Sequence, residues 1–368
     1  ACTSEDVIDD VQTTRNPIQF ENVVNKMTRA TDLNTSNFKQ FNVFGFYTVP
    51  GNDMHANQVF YNVPVKNDGS GSWSYAAGDV RYWIPGAKYY FYAYSCGSAQ
   101  LSEGKFGDYS LEMKNDMNDG LGIPASERVL EIDSYLSDYT HQHDLVVASN
   151  TGENFAGIEG QESGNSNVAL QFKHVLSKLR AKFTSSFSSE YTVVVKNVSV
   201  RNINNYGNYN FKKGWTDVDK KDGDAPLVYI LNTKGDGPAD MTDDEKKKIT
   251  DEPLYIKNEK LTDAEGKEFQ AYAETNTAFV IPFDYQAEYG KVYLNLDIDL
   301  MLGNELVISK TLKATFEPKW EEGYSYLYNV ELRAEDLELG TIQFTTTIEN
   351  WGGDGKTGEG NLPIDKQN

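Results

Sequence analysis

Cysteine, histidine and positive charge are all scarce in this chain of 368 residues. It holds two cysteines, Cys2 and Cys96, so a fold stapled by several disulfides is excluded. Its four histidines are His55, His141, His143 and His174, and no Gly-x-Ser-x-Gly elbow accompanies them. Lys and Arg number 34 against 55 Asp and Glu, a net charge of −21. Nucleic acid is thereby excluded as a partner, because its binding needs clustered cations that displace counterions. No apolar run approaches the ~18 residues of a membrane-spanning helix. Glycine-rich phosphate cradles are also missing.

The chemistry that remains is thin. His141 and His143 would share one face of a strand, but nothing supplies a third metal ligand. Asp217, Asp219, Asp222 and Asp224 imitate a calcium loop. However, Lys221 stands at the fifth position and Asp222 at the sixth, where an oxygen ligand and glycine are needed. A solvated acidic turn is the simpler expectation. No acidic pair is singled out for glycoside chemistry. The chain is therefore expected to be no enzyme and to use no cofactor.

Cys2 follows a single alanine at the very start of a chain that lacks an initiator Met. This is the pattern left at a lipoprotein cleavage site, so Cys2 is the expected acylated residue. Cys96 is expected to be a buried thiol.

Aromatics are abundant, at 12% with 23 Tyr and 18 Phe. Such rings pack well on a pleated surface and incline the chain towards strands. Residues 1–16 are polar and acidic and read as a tether. Ile18, Phe20 and then Val23 or Val24 predict a first strand. Phe41 to Tyr47, Gln58 to Val65 and Lys88 to Tyr94 follow, the last apolar on both faces and so suited to the centre of a sheet. A Gly, Asn and Ser-rich stretch near 149–166 reads as a linker. Domains are thus expected at 17–165 and 166–368, the second with a polar insertion near 232–268. Thr242 and Glu245 have capping-box spacing for a helix over 242–250. From Val292 to Leu302 apolar residues alternate with Tyr, Asn, Asp and Met. Gly303-Asn304 then turns the chain into a hairpin with Leu306 to Phe316. Tyr324 to Leu332 and Ile342 to Ile348 alternate again. Evenly spaced short strands predict a sandwich or barrel.

Several blocks resemble one family. They are Ile18-x-Phe20 with Thr28-Arg29-Ala30, Phe41-x-Val43-Phe44-Gly45-Phe46, Tyr90-Phe91-Tyr92-Ala93-Tyr94, Asp144 to Ala148, Val168-x-Leu170-x-Phe172-x-His174, and Gly323-x-x-Tyr326-x-Tyr328 with Ile342-x-Phe344. In order and number they are similar to the fimbrillins of Bacteroidetes. The resemblance covers nearly the whole chain. It implies two transthyretin-like Greek-key β-sandwich domains in tandem, export as a lipoprotein, and display at the outer membrane surface helped by Glu5 and Asp6. It also implies assembly with other fimbrial subunits. In shaft members a trypsin-like protease cuts after an Arg, the first strand leaves, and a neighbour's strand fills the groove.

Arg29 is the natural cut site by position, since cutting there removes Ile18, Phe20, Val23 and Val24, whereas a cut at Arg15 would leave them. The tail after Trp351 is a poor donor. Either the strand carrying Ile342, Phe344, Thr346 and Ile348 is the donor, or the protein donates nothing, as at a tip. The alternative is a glycan-binding surface lipoprotein, whose Tyr and Trp would form an exposed platform.

Overall fold

The computed structural model describes residues 16–23, 38–48, 57–67, 72–84, 87–96, 105–106, 109–114, 128–133, 144–150, 167–219, 227–234, 242, 250–284, 290–350 and 358–360. The fold is all-β, in several sheets. Its one described α-helix, Ala334–Leu339, ends on Gly340 in the left-handed region (φ 69°). No described helix is long and apolar enough to cross a membrane.

The first half is built around a six-stranded sheet. Its order is Lys173–His174, Val146–Asn150, Lys88–Ser95, Gln40–Thr48, Asn57–Asn67, Trp73–Ser74. Both faces of its middle strands are buried, as the doubly apolar aromatic run demands. Phe44, Phe46, Tyr92 and Tyr94 point to one face and pack on Leu111, Met113, Leu130, Ile132 and Tyr209 of a second sheet. Phe41, Val43, Phe91 and Ala93 point to the other face, where the first strand lies.

The second sheet draws on both halves of the sequence. Its order is Gly214–Asp219, Tyr206–Asn210, Val129–Asp133, Tyr109–Lys114, Lys105–Phe106. The hairpin Tyr206–Asp219 thus lies beyond residue 165 yet completes a sheet of the first half, pairing Asn210 with Val129 and Gly207 with Ile132. Asp217 and Asp219 sit in its outer strand, and the rest of the acidic turn lies outside the described residues. No group of three or more metal-capable side chains occurs among the described residues.

Two further sheets enclose the largest core. One runs Ala273–Glu274, Ser177–Ser185, Tyr324–Leu332, Phe344–Asn350, Gly358–Gly360. The other runs Leu227–Leu231, Tyr191–Arg201, Val292–Leu302, Glu305–Phe316. The alternation holds from Val292 to Met301, with Val292, Leu294, Leu296, Ile298 and Leu300 buried and the intervening residues half-exposed, whereas Leu302 at the end of the strand is exposed. The polar segment 232–268 is not wholly superficial. Its Leu254–Ile256 strand pairs with Val193 to Val195 and buries Ile256 in this core. Residues 243–249 of the helix expected over 242–250 and the pair His141 and His143 lie outside the described residues, as does the tether up to residue 15. Cys96 is buried as a thiol.

Candidate functional site

The segment 16–23 stitches two parts of the molecule together. Asn16 precedes Pro17, a dipeptide biased to extended backbone. Pro17 bridges Tyr82 in antiparallel sense. The Asn16 carbonyl accepts from the Trp83 amide (3.1 Å), and the Ile18 amide donates to the Arg81 carbonyl (2.8 Å). One residue later the partner changes. The Val168 amide donates to the Gln19 carbonyl (2.7 Å), and Phe20–Val23 runs parallel to Val168–Gln171, from Phe20 beside Val168 to Val23 beside Gln171. Among the described strands, Phe20–Val23 is the only ladder partner of Val168–Gln171.

Strand alternation sends Ile18 and Phe20 inward and Gln19 outward. Ile18 is fully buried and Phe20 nearly so. The Phe20 ring sits in a cage of four others, Phe41 (6.0 Å between centroids), Phe60 (5.5 Å), Tyr75 (6.1 Å) and Phe91 (5.6 Å), each edge-on. Edge-to-face pairs contribute about 0.5–1.5 kcal/mol each beyond the area they bury. The Tyr75 hydroxyl closes the cage by donating to the Ile18 carbonyl, and burial pushes that hydroxyl's pKa up. Gly45 makes the room. A Cβ there would lie 2.6 Å from Val59 Cγ1, 2.9 Å from Phe60 Cδ2 and 3.2 Å from Phe91 Cδ1. Any side chain at position 45 would displace two walls of the cage.

The expected site residues fall into four groups. Ile18 and Phe20 are brought together in the cage. Val23 is described by its backbone, paired with Gln171. Cys2, Val24 and Arg29 lie outside the described residues. The strand expected as donor is integrated elsewhere. Phe344–Asn350 pairs with Tyr324–Val330 on one edge and with Gly358–Gly360 on the other. Ile342, Phe344 and Thr346 are buried, and Ile348 packs against the core. Phe344 lies edge-on to Phe316 (5.2 Å) and Tyr328 (5.1 Å).

Two features escaped the sequence. A buried hydrogen bond links His174 Nδ1 to the Asp144 carboxylate (2.9 Å) across the entry to the second half. The segment that follows His174 is clamped further: the Trp215 indole donates to the Val175 carbonyl (2.6 Å), the Ser177 hydroxyl to the Glu321 carbonyl (2.8 Å), and the Gly323 amide to the Leu176 carbonyl (2.9 Å). As for a glycan platform, Tyr89, Tyr92, Tyr94, Tyr209 and Tyr328 are core residues. The exposed tyrosines among the described residues are Tyr61, Tyr82, Tyr255 and Tyr272.

An all-β protein with a short first strand seated as an aromatic plug is the class this geometry defines. The chain belongs to the fimbrillin-like family, whose model matches residues 28–351. No curated protein matches it significantly. Among solved structures it is similar to a fimbrial protein from Bacteroides vulgatus ATCC 8482, at 14% identity and TM-score 0.57, covering 91% of this chain and 99% of that one. A candidate cell adhesion protein from Bacteroides ovatus ATCC 8483 also matches, at 15% identity and TM-score 0.45 over 93% of this chain and 99% of that one.

Proposed function

We propose that this chain is a structural and adhesive subunit of cell-surface fimbriae, built as two transthyretin-like Greek-key sandwiches and tethered to the outer membrane by lipid on Cys2. Assembly proceeds by strand exchange. Cleavage after Arg29 frees the segment that carries Ile18, Phe20, Val23 and Val24, and the strand of another subunit takes its place. Host or bacterial surface ligands would be met by the assembled fibre. Family membership supports the fimbrial reading. The docking of segment 16–23 supports the exchange step: the strand that a cut at Arg29 would release is, among the described strands, the one ladder partner of Val168–Gln171, and its Phe20 fills the aromatic cage.

The integration of Phe344–Asn350 in its own sheet favours a subunit that accepts a strand without lending that one. Limited trypsin digestion, read by intact mass together with size exclusion, tests the mechanism. Loss of residues 1–29 followed by growing oligomers is expected if another segment of the chain serves as donor. Loss of that fragment and acceptance of a synthetic strand peptide is expected for an acceptor alone. A chain that resists cutting at Arg29, or is cut and takes up neither, overturns strand exchange.

A further inference from the structure

The outer face of the sheet that carries Phe344–Asn350 holds a groove with no part in strand docking. Ala181, Phe183, Val330, Leu332 and Phe344 point into the core. Strand alternation therefore turns Lys182, Thr184, Asn329, Glu331, Gln343 and Thr345 outward. The register sets them in two rows across three strands: Lys182 beside Asn329 beside Thr345, and Thr184 beside Glu331, with Gln343 next in line. Together with Arg333 at the rim, these side chains line a groove of about 370 Å³. That volume falls within the ~300–1,000 Å³ of small-molecule sites.

Part of this lining is unengaged by other described residues, while Glu331 interacts electrostatically with Arg333. The side chains of Thr184, Gln343 and Thr345 make no hydrogen bond to any described residue, and the Glu331 carboxylate accepts none. Arg333, by contrast, is held by Asp336 and Glu335, and the Asn329 amide donates to Thr347 Oγ1 (3.0 Å). The Lys182 ammonium lies 3.8 Å from the centroid of the exposed Tyr272 ring.

The chemistry narrows the ligand. A peptide strand is disfavoured at the first row because Lys182 and Asn329 each have ladder partners on both sides there. A polyanion would meet the Glu331 carboxylate and a chain of net charge −21. An amide, two hydroxyls, a carboxylate and an ammonium offer donors and acceptors together, and threonine methyls and the lysine stem lie between them. A neutral ring with hydroxyls around its rim and C–H groups on its faces matches that mixture. We infer that this groove is a binding site for a neutral saccharide unit, of one or two sugar rings, independent of cleavage and of strand exchange.

Saturation-transfer NMR on the full uncut chain tests this. The probes are glucose, galactose, mannose, N-acetylglucosamine, lactose and cellobiose, with glucuronic and sialic acid as the acidic comparison. At least one neutral sugar should receive saturation. The double substitution Gln343→Ala with Thr345→Ala should weaken it at least about tenfold, the loss of two hydrogen-bonding groups. If that double variant melts at a lower temperature than the parent, Glu331→Gln is read in its place and should weaken binding in the same direction. The inference is overturned if no neutral sugar binds at millimolar concentration, if only the acidic sugars bind, or if the variants bind as well as the parent. Because the uncut chain is used, none of these outcomes bears on strand exchange.

Discussion

Truncating Phe20 to alanine tests the plug where it matters most. The ring is buried inside four aromatic walls, and a Phe→Ala change in such a site costs about 3–5 kcal/mol. In the uncut chain the whole of that cost falls on the first half, so its unfolding midpoint in urea should drop while the second half's core, which Phe20 does not touch, unfolds as before. After a cut at Arg29 the same energy governs how long the severed fragment stays seated. At about 1.4 kcal/mol per factor of ten, 3–4 kcal/mol corresponds to release faster by up to about 10²–10³-fold. The assay follows fragment 1–29 by intact mass after rapid gel filtration at successive times. It is run on parent and Phe20→Ala chains, each nicked and then freed of protease. Release at equal rates from the two proteins would refute the idea that the aromatic cage holds the strand. A loss of unfolding free energy below about 1 kcal/mol would refute the packing argument itself.

Two further predictions concern charge. The Arg128 guanidinium is buried 4.2 Å above the Phe46 ring, and none of its three nitrogens has a hydrogen-bond partner among the described residues. Burial pulls its pKa down. A buried cation so placed offsets little of its desolvation cost, so Arg128→Met should leave the melting temperature unchanged or raise it, and a fall of several degrees would refute this. For Asp297, partial burial raises the carboxyl pKa, but hydrogen bonds from Lys234 (2.8 Å) and Thr311 (2.6 Å) outweigh it and hold the pKa below the usual range. A depressed carboxyl pKa contributes stability above the unfolded value and loses it as pH falls through the folded value. Asp297→Asn should therefore lower the melting temperature at pH 7 and bring it close to the parent's at pH 3; an equal gap at both would refute the linkage.

What the sequence disclosed follows the range of each interaction. The hairpin from Val292 to Phe316 was legible because alternation and a Gly-Asn turn are local signals. The doubly buried aromatic strand was legible because seven residues with no polar face have nowhere else to go. Ile18 and Phe20 were legible as one strand face, but not the cage. Phe41, Phe60, Tyr75 and Phe91 converge through pairings tens of residues apart that no periodicity encodes. The hairpin Tyr206–Asp219 looked like part of the second half for the same reason. Only its partner, Val129–Asp133, assigns it to the first. The Asp144–His174 bond spans thirty positions and joins residues that each read as strand ends. The groove proposed for a saccharide was invisible because it arises from register: Lys182, Asn329 and Thr345 become neighbours only once three strands are aligned.

The first strand and the strand of Phe344 are both short, yet their settings differ in the way the proposed strand exchange would require. Phe344–Asn350 is paired along one edge from Tyr324 to Val330, and its core residues touch the largest apolar cluster of the molecule. Withdrawing it would open that cluster. Segment 16–23 switches partners after two or three residues, and its two inward side chains occupy a groove that the rest of the sheet already shapes. While the chain is intact, the attached strand competes from an effective concentration of order millimolar, which no neighbouring subunit matches in solution. Severing the chain at Arg29 removes that advantage without altering a wall of the groove. The contest then turns on side-chain fit alone. An incoming strand that sets an aromatic ring where Phe20 lies and a branched aliphatic where Ile18 lies recovers the same edge-to-face contacts, and one that offers Gly or Asp there does not. The sequence after Trp351, Gly-Gly-Asp-Gly, is of the second kind, so this subunit's own tail is a poor occupant of a groove like its own.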